Sequence, residues 1–223
     1  MDLRGNIWIS APNVTIKNSV IRGRADSTRQ MGLITNDGGF PGLLIEDTTI
    51  AESAANPNNM AGILGSHFVA RRVTIIGQVD SIYINGSDVT VEDSELRDTV
   101  YYAHHFTQND GPTHNDGIQI RKGDNITIRG NSIHGSPNFE ILAAAETGTI
   151  DNLLVENNYL NDGWCTSKFA SLGHSTSGTI RNNSYGPSSH EGCPIQVTKS
   201  FTGTFSNNVW KADGTPVPIM HID

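Results

Sequence analysis

Histidine, aspartate and tyrosine side chains are concentrated in residues 101–119, whose sequence is YYAHHFTQNDGPTHNDGIQ. Three of the chain's eight histidines lie there, together with Asp110 and Asp116. Imidazole and carboxyl groups transfer protons in catalysis, and both also ligate metal ions. This segment is therefore the candidate site, and the remainder of the chain has to hold it in place.

The rest of the chain repeats a phrase of eight residues. Apolar residues mostly occupy its first, third and eighth positions and polar residues its second and fourth, which is the two-residue period of a β-strand. Asn, Asp, Ser, Thr and Gly between the third and eighth positions favour a tight bend. Successive copies start 21 to 37 residues apart, which is the spacing of one solenoid turn. The eight copies start at Val14, Leu43, Phe68, Val89, Ile126, Leu153, Gly178 and Gly203.

A second apolar strand precedes most copies of the phrase. These strands are predicted at residues 7–9, 82–84, 118–120, 170–172 and 195–197. Strand, bend and strand repeated about every 25 residues, without a helical period, predict stacked coils. The pattern resembles the right-handed parallel β-helix of the pectate-lyase-like superfamily. The resemblance implies an all-β fold, a single-stranded right-handed parallel β-helix of about eight coils, as one domain over residues 1–223.

Asparagine recurs at two adjacent positions of the bend. We expect both sets of amides to stack as ladders inside the bends. The sets are Asn157, Asn182 and Asn207, and Asn158, Asn183 and Asn208. Neither end of the sequence has a recognisable cap, so we expect flanking sequence or a partner to cover the open coils.

The two cysteines, Cys165 and Cys193, are separated by about one coil. Stacking should bring them onto neighbouring coils, within the distance that a disulfide accepts. Their offsets from the predicted strands, five and two residues, do not match. A disulfide is nevertheless the prediction, and it would indicate an oxidising compartment.

The motif HNDGIQ, from His114 to Gln119, is the most specific segment of the chain. It resembles a segment of secreted actinobacterial β-helix proteins and of related phage tail proteins, which implies activity on a polysaccharide. It also resembles the start of the polygalacturonase signature, and His174 stands where that family has Gly-His-Gly. The paired aspartates and the Arg-Ile-Lys of that family are missing from this sequence. Polygalacturonase activity is therefore not transferred.

Strand alternation predicts a polar row across several coils. Gly117, Gln119 and Arg121 should point outward, and we expect Gln119 to have neighbours from other coils above and below it. These expected neighbours are Tyr83, Ser171 and Gln196. A polar row that includes an aromatic residue, beside the long 101–112 loop, favours a carbohydrate groove. The predicted sugar-binding residues are Tyr83, Tyr102, Gln119, Arg121 and His174.

Two cleavage chemistries stay open for such a groove. A glycoside hydrolase needs two carboxyl groups about 5 to 9.5 Å apart, and Asp116, Glu140 and Glu146 are the candidates. A lyase acting on a uronic acid needs a base, a proton donor and a cation that neutralises the sugar carboxylate. The lyase candidates are His114 or Lys122 as the base, Tyr102 or His105 as the acid, and Arg121 as the cation.

The histidines also raise the question of a metal. Adjacent residues on a strand point to opposite faces, so only one of His104 and His105 could join His114 around a transition metal. No metal ligand set is assigned on this basis. Calcium held by Asp110, Asp116 and backbone carbonyls is the alternative, although the chain has no dense acidic run.

Composition narrows the classes of partner. The net charge is −8 and the pI is about 5.4, so the chain lacks the basic stripe that nucleic acid binding requires. No apolar run reaches the roughly 18 residues of a membrane-spanning helix. The resemblance to secreted and phage-tail β-helix proteins implies an extracellular or virion-surface protein that engages a polysaccharide around Gln119 as a lyase or a hydrolase. The alternative is a glycan-binding phage tail or cell-surface adhesin module, with a homotrimer as its expected assembly.

Overall fold

The strands of the β-helix are short and follow one another closely. The computed structural model describes residues 1–23, 31–51, 59–105, 108–188 and 192–223. Within these residues there are 24 strands. They are β1 (Asp2–Leu3), β2 (Ile7–Trp8), β3 (Thr15–Ile21), β4 (Met31–Asn36), β5 (Leu43–Ala51), β6 (Asn59–Gly65), β7 (Phe68–Arg71), β8 (Thr74–Ile76), β9 (Asp80–Ile84), β10 (Val89–Glu92), β11 (Glu95–Arg97), β12 (Asp116–Ile120), β13 (Gly123–Arg129), β14 (Ser132–His134), β15 (Phe139–Ala144), β16 (Ile150–Glu156), β17 (Tyr159–Asn161), β18 (Ser167–Ala170), β19 (Thr176–Arg181), β20 (Ser184–Tyr185), β21 (Ile195–Thr198), β22 (Thr202–Ser206), β23 (Val209–Trp210) and β24 (Ile219–Ile222).

These strands form two sheets in which neighbouring strands are parallel. Sheet A has 15 strands. Most of them form two stacks, one from β7 to β22 and one from β8 to β23, and β5 connects the stacks because it pairs with both β7 and β8. Sheet B has nine strands in the order β2-β4-β6-β9-β12-β15-β18-β21-β24. A typical coil therefore consists of one strand of sheet B and two strands of sheet A, as in β12, β13 and β14. This arrangement confirms the predicted parallel solenoid of about eight coils.

Isoleucine stacks fill the interior. Ile63, Ile82, Ile118 and Ile141 are register partners in successive strands of sheet B, and all four are fully buried. A single coil has no layer to cover such side chains, so each coil buries them against its neighbours. The hydrophobic effect therefore stabilises the stack of coils rather than any coil alone.

Only one of the two expected asparagine ladders lies inside the bends. The backbone N–H of Asn158 donates to Oδ1 of Asn183 at 3.0 Å, and the backbone N–H of Asn183 donates to Oδ1 of Asn208 at 3.2 Å. The side chain of Asn158 also donates to the carbonyl of Ile128 at 3.0 Å. This ladder is confirmed, and it includes Asn131 one coil earlier.

The preceding asparagines point outward, which corrects their expected position inside the bends, although Nδ2 of Asn207 donates to Oδ1 of Asn182 at 3.2 Å in the adjacent coil. Asn157 has a φ of 57°, and its counterparts Asn182 and Asn207 have φ values of 56° and 52°. All three side chains are exposed. A left-handed residue turns the chain at the corner of the coil and directs its side chain to solvent, which is a conformation that asparagine tolerates.

The disulfide between Cys165 and Cys193 is formed, with a Cα–Cα distance of 4.8 Å. The strand after Cys165 starts at Ser167, three residues before the predicted start. Each cysteine therefore stands two residues before a strand of sheet B, and Ser167 pairs with Ile195. The prediction of a disulfide is confirmed, whereas the mismatch in offsets was an error in placing the strand.

The two asparagine positions differ in what a substitution should cost. Asn158→Ala leaves a buried backbone donor and a buried carbonyl without partners, so we expect the free energy of unfolding to fall by roughly 2 to 4 kcal/mol. Asn157→Gly keeps the left-handed backbone and should change the free energy of unfolding by less than about 0.5 kcal/mol. Urea unfolding of both variants measures the difference. Equal losses at the two positions would contradict the structural account.

Candidate functional site

Side chains from successive coils form one row on the outer face of sheet B. Backbone register aligns Gln119 with Tyr83 on one side and with Leu142 on the other. The row continues through Lys168 and Gln196. We call Tyr83, Gln119, Leu142, Lys168 and Gln196 the outer row. Tyr83 and Gln196 stand in it as predicted.

Lys168 occupies the place that was predicted for Ser171, and that prediction is wrong. The reason is the earlier start of β18, which shifts the outward position by three residues. Ser171 instead lies in the turn after the strand, where its backbone N–H donates to Thr198 Oγ1. Sequence reasoning missed Lys168 because it placed the start of β18 three residues too late. The positions of Cys165 and Cys193 already indicated the correct alignment of β18 with β21.

Arg121 is held in place at the edge of the outer row. Its Nη1 donates to the hydroxyl of Tyr83 at 2.8 Å, and its Nε forms an ion pair with Oε2 of Glu146 at 2.7 Å. Burial raises the pKa of the Tyr83 phenol, and the hydrogen bond from Arg121 partly offsets this increase. The structure therefore brings together four of the predicted residues, Tyr83, Gln119, Arg121 and Glu146.

Lys168 is half-buried on the same face. Its Nζ lies 5.7 Å from the centroid of the Phe139 ring, within the range of a cation–π interaction. Burial lowers the pKa of the Lys168 ammonium group, and the nearby charge of Glu146 acts in the opposite direction. Among the described residues, Lys168 has no carboxylate within ion-pair distance.

Two buried carboxyl groups, those of Asp80 and Asp116, form a short ladder at the first residues of β9 and β12 in sheet B. Asp80 Oδ1 accepts a hydrogen bond from the backbone N–H of Asp116 at 3.0 Å. Asp116 Oδ1 accepts from the backbone N–H of Phe139 at 3.1 Å and from Asn138 Nδ2 at 2.8 Å. Asp116 is 0% exposed and Asp80 is 1% exposed. Asp116 therefore aligns two strands and does not reach the surface of the groove.

The sequence contained a signal for this carboxyl pair. Residues 80–84 read DSIYI and residues 116–120 read DGIQI, so the same Asp-x-Ile-x-Ile phrase occurs on neighbouring coils. Burial raises the pKa of both carboxyl groups. The pKa of Asp116 rises to about 7, and the charge of Glu146 contributes to the increase. The charge of Asp116 further raises the pKa of Asp80.

The loop before β12 is tied down at its base. The backbone N–H of Thr113 donates to the carbonyl of Tyr102 at 2.9 Å, and Thr113 Oγ1 accepts from the N–H of Tyr102 at 3.0 Å. Asn115 Nδ2 donates to the carbonyls of Val79 and Val100. His105 is buried, and its ring centroid lies 6.1 Å from that of Tyr102. Tyr102 and His105 therefore belong to the packed base of this loop.

Glu140 lies on the inner side of sheet B, away from the outer row. Its Oε1 accepts a hydrogen bond from the backbone N–H of Ser136 at 2.9 Å. A Cβ atom at Gly117 would meet Ile133 Cγ2 at 2.5 Å and Glu140 Oε2 at 3.0 Å. Gly117 therefore faces the core rather than pointing outward as predicted, and Glu140 lies beside it. Burial raises the pKa of the Glu140 carboxyl group well above its usual value.

The remaining predicted residues are exposed outside the outer row. His114 is exposed between the buried Thr113 and Asn115. Lys122 lines a polar groove of about 510 Å³ in the turn that follows sheet B, together with Asp124. His174 is exposed in the turn after β18.

No metal centre is apparent in the part of the chain that the structure describes. In those residues no three His, Cys, Asp or Glu side chains are placed to hold an ion. His104 Nδ1 lies 3.6 Å from the exposed carboxylate of Asp110, whereas Asp116 is fully buried. Calcium held by Asp110, Asp116 and backbone carbonyls stays a prediction.

The fold and the outer row together define the class of protein: a parallel β-helix with a row of mostly polar and aromatic side chains, interrupted by Leu142, across one sheet. Residues 62–216 match the family described as the right-handed β-helix region, and the chain belongs to this family. A search of curated proteins finds no match to the chain. Within the described residues no helix is long and apolar enough to cross a membrane.

The raised pKa of Asp116 predicts a pH-dependent stability. Between its usual value of 3.8 and about 7, the folded chain retains a proton that the unfolded chain has lost. The free energy of unfolding should therefore fall by a few kcal/mol as the pH rises through this window. Asp80 and Glu140, whose pKa values burial also raises, contribute to the same fall. Asp116→Asn keeps the Oδ1 acceptor and should remove the part of this slope that Asp116 contributes. Urea unfolding between pH 4 and pH 8 measures it.

The exposed Asp110 provides the matched control. Asp110→Asn should leave the pH profile close to that of the wild type, because its carboxylate is solvated in the folded and unfolded chain alike. Two results would contradict the raised pKa of Asp116. One is a free energy of unfolding of the wild type that rises from pH 4 to pH 7, and the other is a pH profile of Asp116→Asn that parallels the wild-type profile.

Proposed function

We propose that the chain binds an acidic polysaccharide along the outer row of sheet B. The observation that carries the proposal is Lys168, a half-buried cation in the outer row without an ion-pair partner among the described residues. Partly burying an ammonium group costs free energy unless an anion accompanies it. A sugar carboxylate would provide that anion.

The spacing of the coils supports a polymeric ligand. Neighbouring coils are about 4.8 Å apart, which is similar to the rise of one sugar unit in an extended polysaccharide. Each coil contributes one outer-row side chain, and those with appreciable exposed surface are Gln119 and Lys168, whereas Tyr83, Leu142 and Gln196 are largely buried. The Gln119 amide matches the hydroxyl groups of sugars, and the Lys168 ammonium group matches a sugar carboxylate. Because Gln119 and Lys168 lie two coils apart, a glycan that runs along the helix axis would meet them two units apart.

Local contacts must dominate this binding. The net charge of −8 repels a polyanion at long range, and salt screens that repulsion beyond about 8 Å. Arg121 and Lys168 are the cations of the binding face, and the half-exposed Glu146 lies between their charges. We therefore expect weak affinity at low salt and a shallow salt dependence, in contrast to proteins with a broad basic surface.

Binding is tested with polygalacturonate and alginate, with a neutral dextran as the control ligand. Lys168→Met should weaken binding of the acidic polymers at least about tenfold, which corresponds to about 1.4 kcal/mol. Lys122→Met removes an exposed lysine outside the outer row and should have no effect. Calorimetry measures both. Equal binding of dextran, or equal losses in the two variants, would refute the proposal.

Cleavage by β-elimination is the second candidate function, and the lowered pKa of Lys168 favours it. An unprotonated Lys168 Nζ could remove the proton from C5 of a uronate whose carboxylate contacts Arg121. The electron pair then forms the C4–C5 double bond, the C4–O bond breaks, and water protonates the leaving oxygen. Hydrolysis has less support, because Asp116 and Glu140 are buried and only Glu146 is accessible of the three carboxyl groups considered.

Lys168→Arg separates binding from elimination. Arginine keeps the positive charge but stays protonated, so it should retain binding and abolish the ultraviolet absorbance of the unsaturated product. The wild-type rate should rise with pH and reach half its maximum below the usual lysine value of 10.5. Binding of acidic glycans without any product would reject elimination and favour a glycan-binding module.

The location and the assembly of the protein are part of the same proposal. The Cys165–Cys193 disulfide supports an oxidising compartment, in agreement with an extracellular or virion-surface location. A homotrimer and a flanking end cap stay predictions.

A further inference from the structure

A half-exposed tryptophan lies beside a cavity at the edge of sheet B. The cavity has a volume of about 430 Å³ and is formed by the turns 135–137 and 162–164. Trp164 is 51% exposed, and its backbone and ring both contact the turn before β15 and the start of that strand. Its backbone N–H donates to the carbonyls of Pro137 and Asn138, and its ring meets Phe139 edge-on at a centroid distance of 6.4 Å. The indole thus presents a fixed apolar surface to the solvent.

Contacts connect this cavity with the outer row. Phe139 contacts the ring of Trp164, and Lys168 Nζ lies over the ring of Phe139. Both Phe139 and Leu142 belong to the apolar cluster on the outer face. Because Trp164 and Lys168 belong to the same coil, the cavity lies to the side of the outer row, and a glycan that contacts Lys168 would reach it with a neighbouring unit that turns from the helix axis toward the edge of sheet B.

The charge of the cavity differs from that of the outer row. Asp162 lines the cavity, and its Oδ2 accepts a hydrogen bond from the backbone N–H of Gly135 at 3.1 Å. Among the described residues, no cation lies within ion-pair distance of Asp162. Its carboxylate would repel a uronate and accept hydrogen bonds from sugar hydroxyl groups. Ser136 and Ser188 also line the cavity.

We infer that the Trp164 cavity binds one uncharged sugar, stacked on the indole and hydrogen-bonded to Asp162, next to the acidic sugar at Lys168. This inference rests on the proposed function and deepens it. The C–H face of a pyranose is apolar and its rim is polar, which matches an indole wall beside a carboxylate. The ligand class is then a polysaccharide in which uronate units neighbour uncharged sugars, rather than a pure polyuronate.

Two tetrasaccharides of equal length test the inference. One comes from hyaluronan, in which glucuronate alternates with N-acetylglucosamine, and the other from polygalacturonate. The hyaluronan tetrasaccharide should bind more tightly to the wild type and change its tryptophan fluorescence. Trp164→Ala should weaken that binding about tenfold and leave polygalacturonate binding unchanged. Trp8→Ala, which removes an exposed tryptophan at the far end of sheet B, is the matched control.

Asp162→Asn provides a gain of function that a misfolded protein could not mimic. Asparagine keeps the acceptor for Gly135 N–H and removes the negative charge, so the polygalacturonate tetrasaccharide should bind several-fold more tightly. Unfolding in urea verifies that both variants are folded. If Trp164→Ala does not fold, Asp162→Asn alone decides the question.

The outcomes distinguish the subsite from the binding face. The subsite would be overturned if the two tetrasaccharides bound equally well and if neither Trp164→Ala nor Asp162→Asn changed their affinities. Loss of binding in Lys168→Met under the same conditions would leave the proposed function intact. Loss of hyaluronan binding in Trp164→Ala but not in Lys168→Met would support the sugar site and overturn the acidic binding face.

Discussion

Backbone N–H groups at the corners of each coil need acceptors from the adjacent coil, and this constraint organises the whole structure. In the bends of sheet A, the amides of Asn158, Asn183 and Asn208 provide these acceptors. A buried donor without a partner costs roughly 1 to 3 kcal/mol, so the equivalent corner of each coil must lie directly over the next. That alignment brings equivalent isoleucines into contact and closes the apolar interior without a helix.

Carboxyl groups perform the same task where the chain enters sheet B. Asp80 accepts from the N–H of Asp116, and Asp116 accepts from the N–H of Phe139. An amide would satisfy these donors without burying a charge. The carboxyl pair instead links the alignment of β9, β12 and β15 to proton binding, since burial raises the pKa of both groups. Asp116 therefore influences the face indirectly, because it positions the strand that carries Gln119.

The outer face of sheet B combines this rigid scaffold with an uneven distribution of charge. Arg121 and Lys168 are cations of the central region, whereas Asp162 places a carboxylate at the edge beside Trp164. A ligand with one kind of charge throughout would match only part of such a surface. A glycan whose acidic and uncharged units are neighbours would match both parts, and the regular spacing of the coils would set its register.

The sequence by itself determined the coil, because the repeat records one structural unit many times and each unit contacts only its neighbours. It also determined the disulfide, the inner ladder at Asn158, and the alignment of Tyr83 with Gln119. The positions of Cys165 and Cys193 also contained the alignment that places Lys168 on the outer row. The tertiary structure alone decided which face each site candidate occupies. The contacts of the folded chain buried Asp116 and turned Glu140 inward. Sequence patterns could not show this, since side-chain direction at a turn and burial beneath a loop depend on contacts between segments distant along the chain.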